Sequence, residues 1–257
     1  MYATERHELI ERLLADTGRV SVVELARRFG VTTETIRRDL AQLESTGALR
    51  RVHGGAVVSE RGSIVEPTLL ERLGRSGEAK AAIAARAVTA LGEGFQGSIF
   101  LDAGTTTAAV AELLSRRPTR VETVTHALAV AQALSSSDAV DLTVIGGRVR
   151  GVTGAAVGAA TVQAISGLRP DVAFVGTNGV SAEFGLSTPD PEEAAVKRQI
   201  VRSARRAIVV ADGEKLGAER LVGFARLSDI DVLVTDVPPD PTLTVALEDA
   251  DVDVWIA

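Results

Sequence analysis

Residues 20–56 read V-S-V-V-E-L-A-R-R-F-G-V-T-T-E-T-I-R-R-D-L-A-Q-L-E-S-T-G-A-L-R-R-V-H-G-G-A, and this stretch decides the fold of the N-terminal part. Ser21 and Glu24 stand at capping-box spacing and open a helix that turns Leu25, Ala26 and Phe29 inward and stops at Gly30. Thr32 caps the next helix, Glu34 sits in its first turn, and Ile36, Leu40 and Leu43 recur at i, i+4 and i+7 along one face until Gly47 ends it. Ala26, Gly30 and Ile36 then supply the small residue, the turn glycine and the core aliphatic that a helix-turn-helix needs. Upstream, Leu9, Ile10, Leu13 and Leu14 have the spacing of a first short helix. Downstream, residues 49–53 and 56–58 are two β-prone runs around the Gly54-Gly55 pair, which predicts a hairpin, or wing.

With Ile36, Leu40 and Leu43 turned inward, Thr33, Thr35, Arg37 and Arg38 fall on the outer surface of the third helix, the element that enters the major groove. Arginine there forks onto guanine or clamps phosphate, and threonine touches phosphate or a thymine methyl. Arg50, Arg51 and His53 on the wing are placed to meet the DNA backbone or the minor groove. The alternative is a solvated charged face on a unit that docks only protein. Arginine pairs on both recognition helix and wing favour double-stranded DNA as the partner.

The chain has 257 residues, long enough for two unequal domains, with 46% hydrophobic and 24% charged residues. No apolar run reaches about 18 residues, so no membrane span is expected. The opening M-Y-A-T-E-R-H-E-L-I lacks the order of a secretory signal, and cysteine is absent. Disulfides, thiolate catalysis and cysteine metal sites are excluded, and the cytoplasm is the expected location. Net charge is −6, yet it divides unevenly. Residues 1–61 hold ten Arg, no Lys and nine acidic residues, net +1, while the remainder holds 18 basic and 25 acidic, net −7. Only local arrangement makes the first part basic where it meets DNA.

The pattern assigns residues 3–58 to a winged helix-turn-helix and residues 59–77 to a linker, since Gly62, Pro67, Gly74 and Gly77 interrupt any sustained period. Residues 78–257 form a larger domain. A helix over 78–91 leads into apolar runs at 99–101, 121–125, 142–145, 172–175, 208–211, 232–235 and 252–256. Helical stretches such as 106–114, 127–134, 157–168 and 191–203 separate most of them, which predicts an α/β domain with a largely parallel, helix-covered sheet.

Several strand ends in this domain carry chemistry. Asp102-Ala103-Gly104-Thr105-Thr106-Thr107 passes from a strand into a helix, where backbone N–H groups and hydroxyls cradle an anion such as phosphate. The same residues also suit a tight turn and cap. Gly146-Gly147-Arg148 sets glycines beside a cation, as a bare turn also would. Gly176-Thr177-Asn178-Gly179 leaves another strand at its carboxyl end, where open α/β sheets place ligands, or makes an ordinary Asn-Gly turn. Asp190, Pro191 and Glu193 start a helix with a cap, a first-position proline and a capping box. Lys197 follows one turn later, either as a ligand contact or as the i, i+4 partner of Glu193. Asp212 and Lys215 close a further strand. The chain has 25 Arg and three Lys, at 80, 197 and 215. Two of the three fall in these segments, where a compact ammonium suits a sugar or phosphate oxygen.

The stretch at 20–56 resembles the DNA-binding domain of the DeoR family of bacterial sugar-metabolism regulators, and the resemblance runs through the whole chain. It implies a sensor domain similar in fold to ribose-phosphate isomerases, glucosamine-phosphate deaminases and CoA-transferases, which binds a phosphorylated sugar without turning it over. Carried over position by position, Asp102, Gly104, Thr105, Thr106, Thr107, Gly147, Arg148, Thr177, Asn178, Lys197, Asp212 and Lys215 become the effector site. Where the family usually has Thr-Asn, this chain has Thr125-His126, and His126 is read as a hydrogen-bonding substitute rather than a catalyst. M-Y-A-T-E-R, G-T-N-G and G-L-S-T-P-D-P-E-E-A-A-V-K-R look most like the actinobacterial fructose-operon branch, which implies fructose 1-phosphate as effector.

A homo-oligomer is expected, because one small module discriminates poorly against genomic DNA. No cofactor, metal or catalytic residue is assigned. The rival is a sugar-phosphate isomerase or deaminase with a DNA-binding head, using Asp102, Asp212 or Lys215 for proton transfer. Against it, no paired carboxylate and histidine set is visible near these loops.

Overall fold

In the computed structural model, which describes every residue except 1–2, 18, 46–48, 53, 59–62, 65, 93 and 119, the chain divides into two compact units, Met1–Gly62 and Ser63–Ala257. The first unit holds α1 (Ala3–Thr17), β1 (Arg19–Ser21), α2 (Val22–Phe29), α3 (Thr33–Ser45), β2 (Leu49–Val52) and β3 (Gly55–Val58). Ile10, Leu14, Leu25, Ile36, Leu40, Leu43 and Leu49 make its core, so the apolar spacing placed the inward faces correctly. Gly30 ends α2 at φ 65°, a left-handed turn that costs glycine nothing.

Two local readings need correction. The hydroxyl of Ser21 caps nothing; the first N–H of α2, at Val22, instead donates to the Gly54 carbonyl at 2.9 Å. The reason is that Ser21 belongs to β1, which pairs antiparallel with β3 and turns the expected hairpin into a sheet of order β1-β3-β2. Three residues are too few to show alternation in the sequence. Gly55 faces Val20 across this pairing, where a Cβ would lie 2.0 Å from the Val20 carbonyl oxygen. Thr32 does cap α3, its hydroxyl accepting from the Thr35 N–H at 3.2 Å.

The second unit begins with α4 (Leu69–Leu73) and α5 (Gly77–Val88), then β4 (Ser98–Leu101), α6 (Thr105–Leu114), β5 (Val121–Thr125), α7 (Leu128–Leu134) and β6 (Val140–Val144). It continues with β7 (Arg148–Arg150), β8 (Ala155–Val157), α8 (Ala159–Ser166), β9 (Val172–Gly176), β10 (Gly179–Ser181), β11 (Gly185–Thr188) and α9 (Pro191–Ser203). The last elements are β12 (Ala207–Val210), β13 (Val222–Ala225), β14 (Val232–Thr235), α10 (Pro241–Asp249) and β15 (Asp253–Ile256). Seven strands form one parallel sheet of order β15-β14-β12-β9-β4-β5-β6.

Successive strand residues face opposite layers, as the period of two requires. Ile99, Leu101, Phe174, Ile208 and Val232 pack against α5, α6 and α7. Phe100, Val175, Val209 and Leu233 pack against α8, α9 and α10. The fold is therefore the helix-covered α/β sheet that the alternating runs predict. The small sheet β10-β11-β13 and the β7–β8 ribbon are additions the runs did not reveal. The described part of the segment read as a linker packs on this unit: the Leu69 N–H donates to Val152 and the Leu221 N–H to Ser63.

The first unit rests on one long-range ion pair. Arg6, on α1, gives a two-pronged contact to Asp39 on α3, at 2.8 and 3.1 Å, and His7 adds a third contact at 3.2 Å. Burial alone would raise the Asp39 carboxyl, but the Arg6 and His7 bonds outweigh it and hold it below the ordinary range. Asp39→Ala is expected to destabilise this unit by about 3 kcal/mol, by removing the carboxylate that grips the buried Arg6 guanidinium, while Arg6→Met with Asp39→Leu recovers most of the loss. Urea unfolding of the full chain, followed by circular dichroism, checks both; equal losses in the single and double variants would refute the pairing argument.

Candidate functional site

Of the arginines predicted to contact DNA, Arg37, Arg38 and Arg51 are presented outward. Arg37 and Arg38 are exposed on α3, opposite the buried Ile36 and Leu40, and Arg37 makes only a loose 3.4 Å contact to the equally exposed Glu34. Arg51 is exposed on β2 and held by Glu44, at 2.6 Å from Nε and 2.9 Å from its backbone N–H. Thr33 and Thr35 are half-buried at the start of α3, and the Thr35 hydroxyl shares a 2.9 Å bond with that of Thr32. His53 and the side chain of Arg50 lie outside the described residues.

In the second unit the parallel sheet changes direction of winding between β4 and β9. Strand β4 comes first, β5 and β6 are laid down on one side of it, and β9, β12, β14 and β15 on the other. Loops after neighbouring strands separate at such a point and leave a crevice at the carboxyl ends. Asp102 follows β4 and bridges this point, its Oδ2 accepting from the Gly176 N–H at the end of β9 at 2.9 Å.

Asp102 is fully buried and is the centre of a charge cluster. Lys197, reaching in from α9, donates to Asp102 Oδ2 at 2.5 Å and to the Gly176 carbonyl at 3.0 Å. This overturns the reading of Lys197 as the helical partner of Glu193, whose carboxylate is instead turned to Thr153 and Arg150. His126 lies 3.0 Å from Asp102 Oδ1 through Nε2, while Nδ1 faces the Ala156 carbonyl at 2.8 Å. Both ring nitrogens thus lie within hydrogen-bond distance of an oxygen atom. Burial pushes the Asp102 carboxyl up, but the Lys197 charge and the His126 bond prevail and hold it at about 2.

This cluster corrects the expectation that no carboxylate and histidine come together near the loops. Asp102 and His126 are 24 residues apart and meet only because β4 and β5 are adjacent. No local spacing announces that.

The other predicted residues divide. Thr105, Thr106 and Thr107 are buried at the first turn of α6, with Gly104 at its cap position, and the Thr107 hydroxyl donates back to the Gly104 carbonyl. Asp212, after β12, is buried and accepts from Lys215 at 2.8 Å through Oδ2, whereas its Oδ1 has no partner. Thr177 is spent locally, donating to the Gly179 and Ser187 carbonyls, and Asn178 accepts from Thr188. Gly147 does approach something closely, but a Cβ there would lie 2.0 Å from the Thr161 hydroxyl, so the close approach is to packed protein. Arg148 is exposed and pairs with Glu192.

A separate cleft of about 510 Å³ is lined by Phe184, Arg198, Arg202, Phe224, Arg226 and Asp229. Two of its three arginines are already engaged, Arg198 with the Gly223 carbonyl and Arg226 with Asp229, and it holds none of the strand-end residues. Lys80, to which the sequence assigned no role, is also buried.

The folded-state value of Asp102 lies below its unfolded one, so its ionised contribution is complete above about pH 4 and is lost as pH falls towards 2. The stability gap between wild type and Asp102→Asn is expected to stay level above about pH 5 and to narrow by about 2 kcal/mol through this window. Urea titrations at stepped pH check it; a gap that stays level to pH 2 refutes the ionised buried carboxylate.

Comparison with known proteins gives the family. Residues 6–61 match the DeoR-like helix-turn-helix domain and residues 75–237 the DeoR C-terminal sensor domain. The chain is 37% identical to an uncharacterized HTH-type transcriptional regulator, FruR, of Bacillus subtilis (strain 168), with 92% of each chain covered. It is 32% identical to the glycerol-3-phosphate regulon repressor of Escherichia coli (strain K12), with 97% of each covered. Among solved structures, ribose 5-phosphate isomerase A from Neisseria gonorrhoeae aligns with 55% of this chain and 54% of its own, at 15% identity and a TM-score of 0.40. Exposed arginines on a helix-turn-helix and a parallel-sheet sensor behind it thus sit on domains of matching kind, and the chain belongs to the DeoR family of transcriptional regulators.

Proposed function

We propose that this chain represses a sugar-metabolism operon and that a phosphorylated sugar, with fructose 1-phosphate favoured, releases it from operator DNA by binding along the carboxyl ends of β4, β9 and β12. The observation that carries this reading is the crevice at the point where the sheet reverses its winding, whose wall is fixed by the buried contacts of Asp102 with Gly176 and Lys197, with Asp212 and the half-buried Lys215 at the end of the next strand. The first turn of α6 adds the N–H groups and hydroxyls of Thr105, Thr106 and Thr107. The family's sugar-operon relatives support repression, the E. coli glycerol-3-phosphate regulon repressor among them.

In this reading Arg37 and Arg38 contact operator phosphates and base edges, with Arg51 on the wing beside them and Arg50 and His53 completing it. The chain acts as a homo-oligomer that sets two such heads on a repeated site. Effector binding shifts the balance between two arrangements of the pair, with a coupling of about 1 to 3 kcal/mol.

One observation favours the isomerase or deaminase alternative: His126, Asp102 and Lys197 form a charge triad of the kind that moves protons. Its burial argues against it. Asp102 is 0% exposed, His126 2% and Lys197 4%, and each is already hydrogen-bonded to protein. A general base has to reach a substrate proton.

Two experiments test the proposal. An operator selected from a random duplex pool is titrated with the chain by fluorescence anisotropy, in the presence of fructose 1-phosphate, fructose 6-phosphate, glycerol 3-phosphate and tagatose or galactosamine phosphates. One of them is expected to weaken operator binding about 5- to 150-fold, and silence across the panel sinks the sensor reading. Arg37→Ala with Arg38→Ala is expected to weaken binding across sequences and to reduce the salt slope by about two, and undiminished binding would leave a protein-docking role for the head. Incubation of the same panel with the chain, followed by product analysis, decides the enzymatic alternative.

A further inference from the structure

The segment ahead of α5 is fastened to the sensor by buried charges that the functional reading has not used. Lys80, on α5, is 6% exposed, and its ammonium donates to two main-chain carbonyls at the end of α4, those of Arg72 and Arg75. Desolvation lowers the Lys80 ammonium first, and the nearby charge of Lys215 lowers it further, with Arg72 acting the same way and Asp212 and Glu214 opposing. The charges of Arg72 and Lys215 thus both bear on the buried Lys80 ammonium. Of the acids there, Asp212 is buried and Glu214 is exposed.

Three groups in this neighbourhood are incomplete, Glu66 among them through Oε1. The Nε and Nη2 of Arg72 are buried without an acceptor, and Oδ1 of Asp212 is buried without a donor. Taking guanidinium N–H groups out of water with nothing to receive them is costly, and proteins rarely leave it so. Glu66 also feels the Arg72 charge: its Oε2 is committed to Arg150, its Oε1 is buried without a donor, and the Glu193 carboxylate crowds it. Cations thus outnumber buried anions around Lys215, and the guanidinium has unused donors in the fork geometry that fits a phosphate or carboxylate.

We propose that Arg72 is an effector-binding residue, which closes with Lys215 on the anionic group of the sugar phosphate. This deepens the strand-end reading above and rests on it. Lys80 positions Arg72 by holding the main chain of α4, and it adds charge from below. The consequence is mechanical. Arg72 belongs to the short stretch between the DNA-binding unit, which ends at Gly62, and the first long helix of the sensor. A ligand that engages Arg72 gains or loses binding energy with the position of that stretch, which is the differential contact that a change of state requires.

Isothermal titration of the full chain with fructose 1-phosphate, inorganic phosphate and unphosphorylated fructose tests this, using wild type, Arg72→Gln, Arg72→Lys and Lys215→Ala. Arg72→Gln is expected to weaken the two phosphate-bearing probes by about tenfold or more, the effect of one charge-assisted contact, with Arg72→Lys between it and wild type. Fructose distinguishes the phosphate from the sugar and is expected to be insensitive to these variants. The ligand-free melting temperature of Arg72→Gln is expected to equal or exceed that of wild type, since the change removes an unpaired buried charge. A clear fall would show that Arg72 supports packing and would overturn the proposal; should Arg72→Gln not fold, Arg72→Lys decides by the same titration. Unchanged phosphate affinity in both Arg72 variants, alongside lost affinity in Lys215→Ala, overturns the role of Arg72 and leaves the site reading intact. A wild-type chain that binds neither phosphate probe overturns both.

Discussion

A single buried carboxylate organises the sensor unit. Asp102 cannot be ionised in an apolar interior unless partners replace the water it gives up, and the fold supplies three of them from three different elements: Lys197 from α9, the Gly176 N–H from the end of β9, and His126 from the end of β5. Each of these contacts fixes one element relative to β4. The sheet's crevice therefore has walls set by charge pairing as well as by apolar packing, and the polar atoms lining it are oriented before any ligand arrives. That is the condition under which a few hydrogen bonds discriminate between similar sugars, because a site that has to rearrange gives back part of its selectivity as ordering cost.

The DNA-binding unit uses the opposite arrangement of the same residue types. Its buried pair, Arg6 with Asp39, ties α1 to α3 and consumes one cation and one anion inside the core. What α3 presents outside that core includes the adjacent Arg37 and Arg38, together with Glu34. The unit is nearly neutral in total, so net charge alone would not announce a DNA binder; position decides it. The acidic balance of the remaining residues works in the same direction, since it gives the sensor no electrostatic reason to lie along a duplex.

The sequence was most informative where function depends on local periodicity. Ile36, Leu40 and Leu43 at helical spacing, Gly30 at the turn and the apolar runs at 99–101, 172–175 and 208–211 all lie where their spacing put them. What it concealed depends on residues distant along the chain. Arg6 and Asp39 are 33 positions apart, Asp102 and Lys197 are 95 apart, and nothing near either member signals the other. His126 is the instructive case. As a substitution at a strand end it was visible, but its partner was not, because adjacency of β4 and β5 is a property of topology. Gly147 shows the converse error: a glycine beside a cation suggested ligand approach, whereas the missing side chain makes room for Thr161.

Lys80 follows the same logic and shows how the described part of the 59–77 segment is attached although its sequence predicts a linker. Its glycines and proline break any period, which is a correct reading of its local propensity and a poor guide to its attachment. Main-chain carbonyls of Arg72 and Arg75 receive the Lys80 ammonium, Glu66 receives Arg150, and the Leu69 N–H finds Val152. Irregular backbone held in this way is ordered by ion pairs and single hydrogen bonds, with little apolar area behind it. Such a hold is strong while every charge is paired and weak once one pairing is exchanged, so its balance point responds to a new anion far more than a packed helix interface does. Under the proposal that this segment answers to the effector, it gains from that property, and the charges around Lys80, Arg72 and Glu66 are its source.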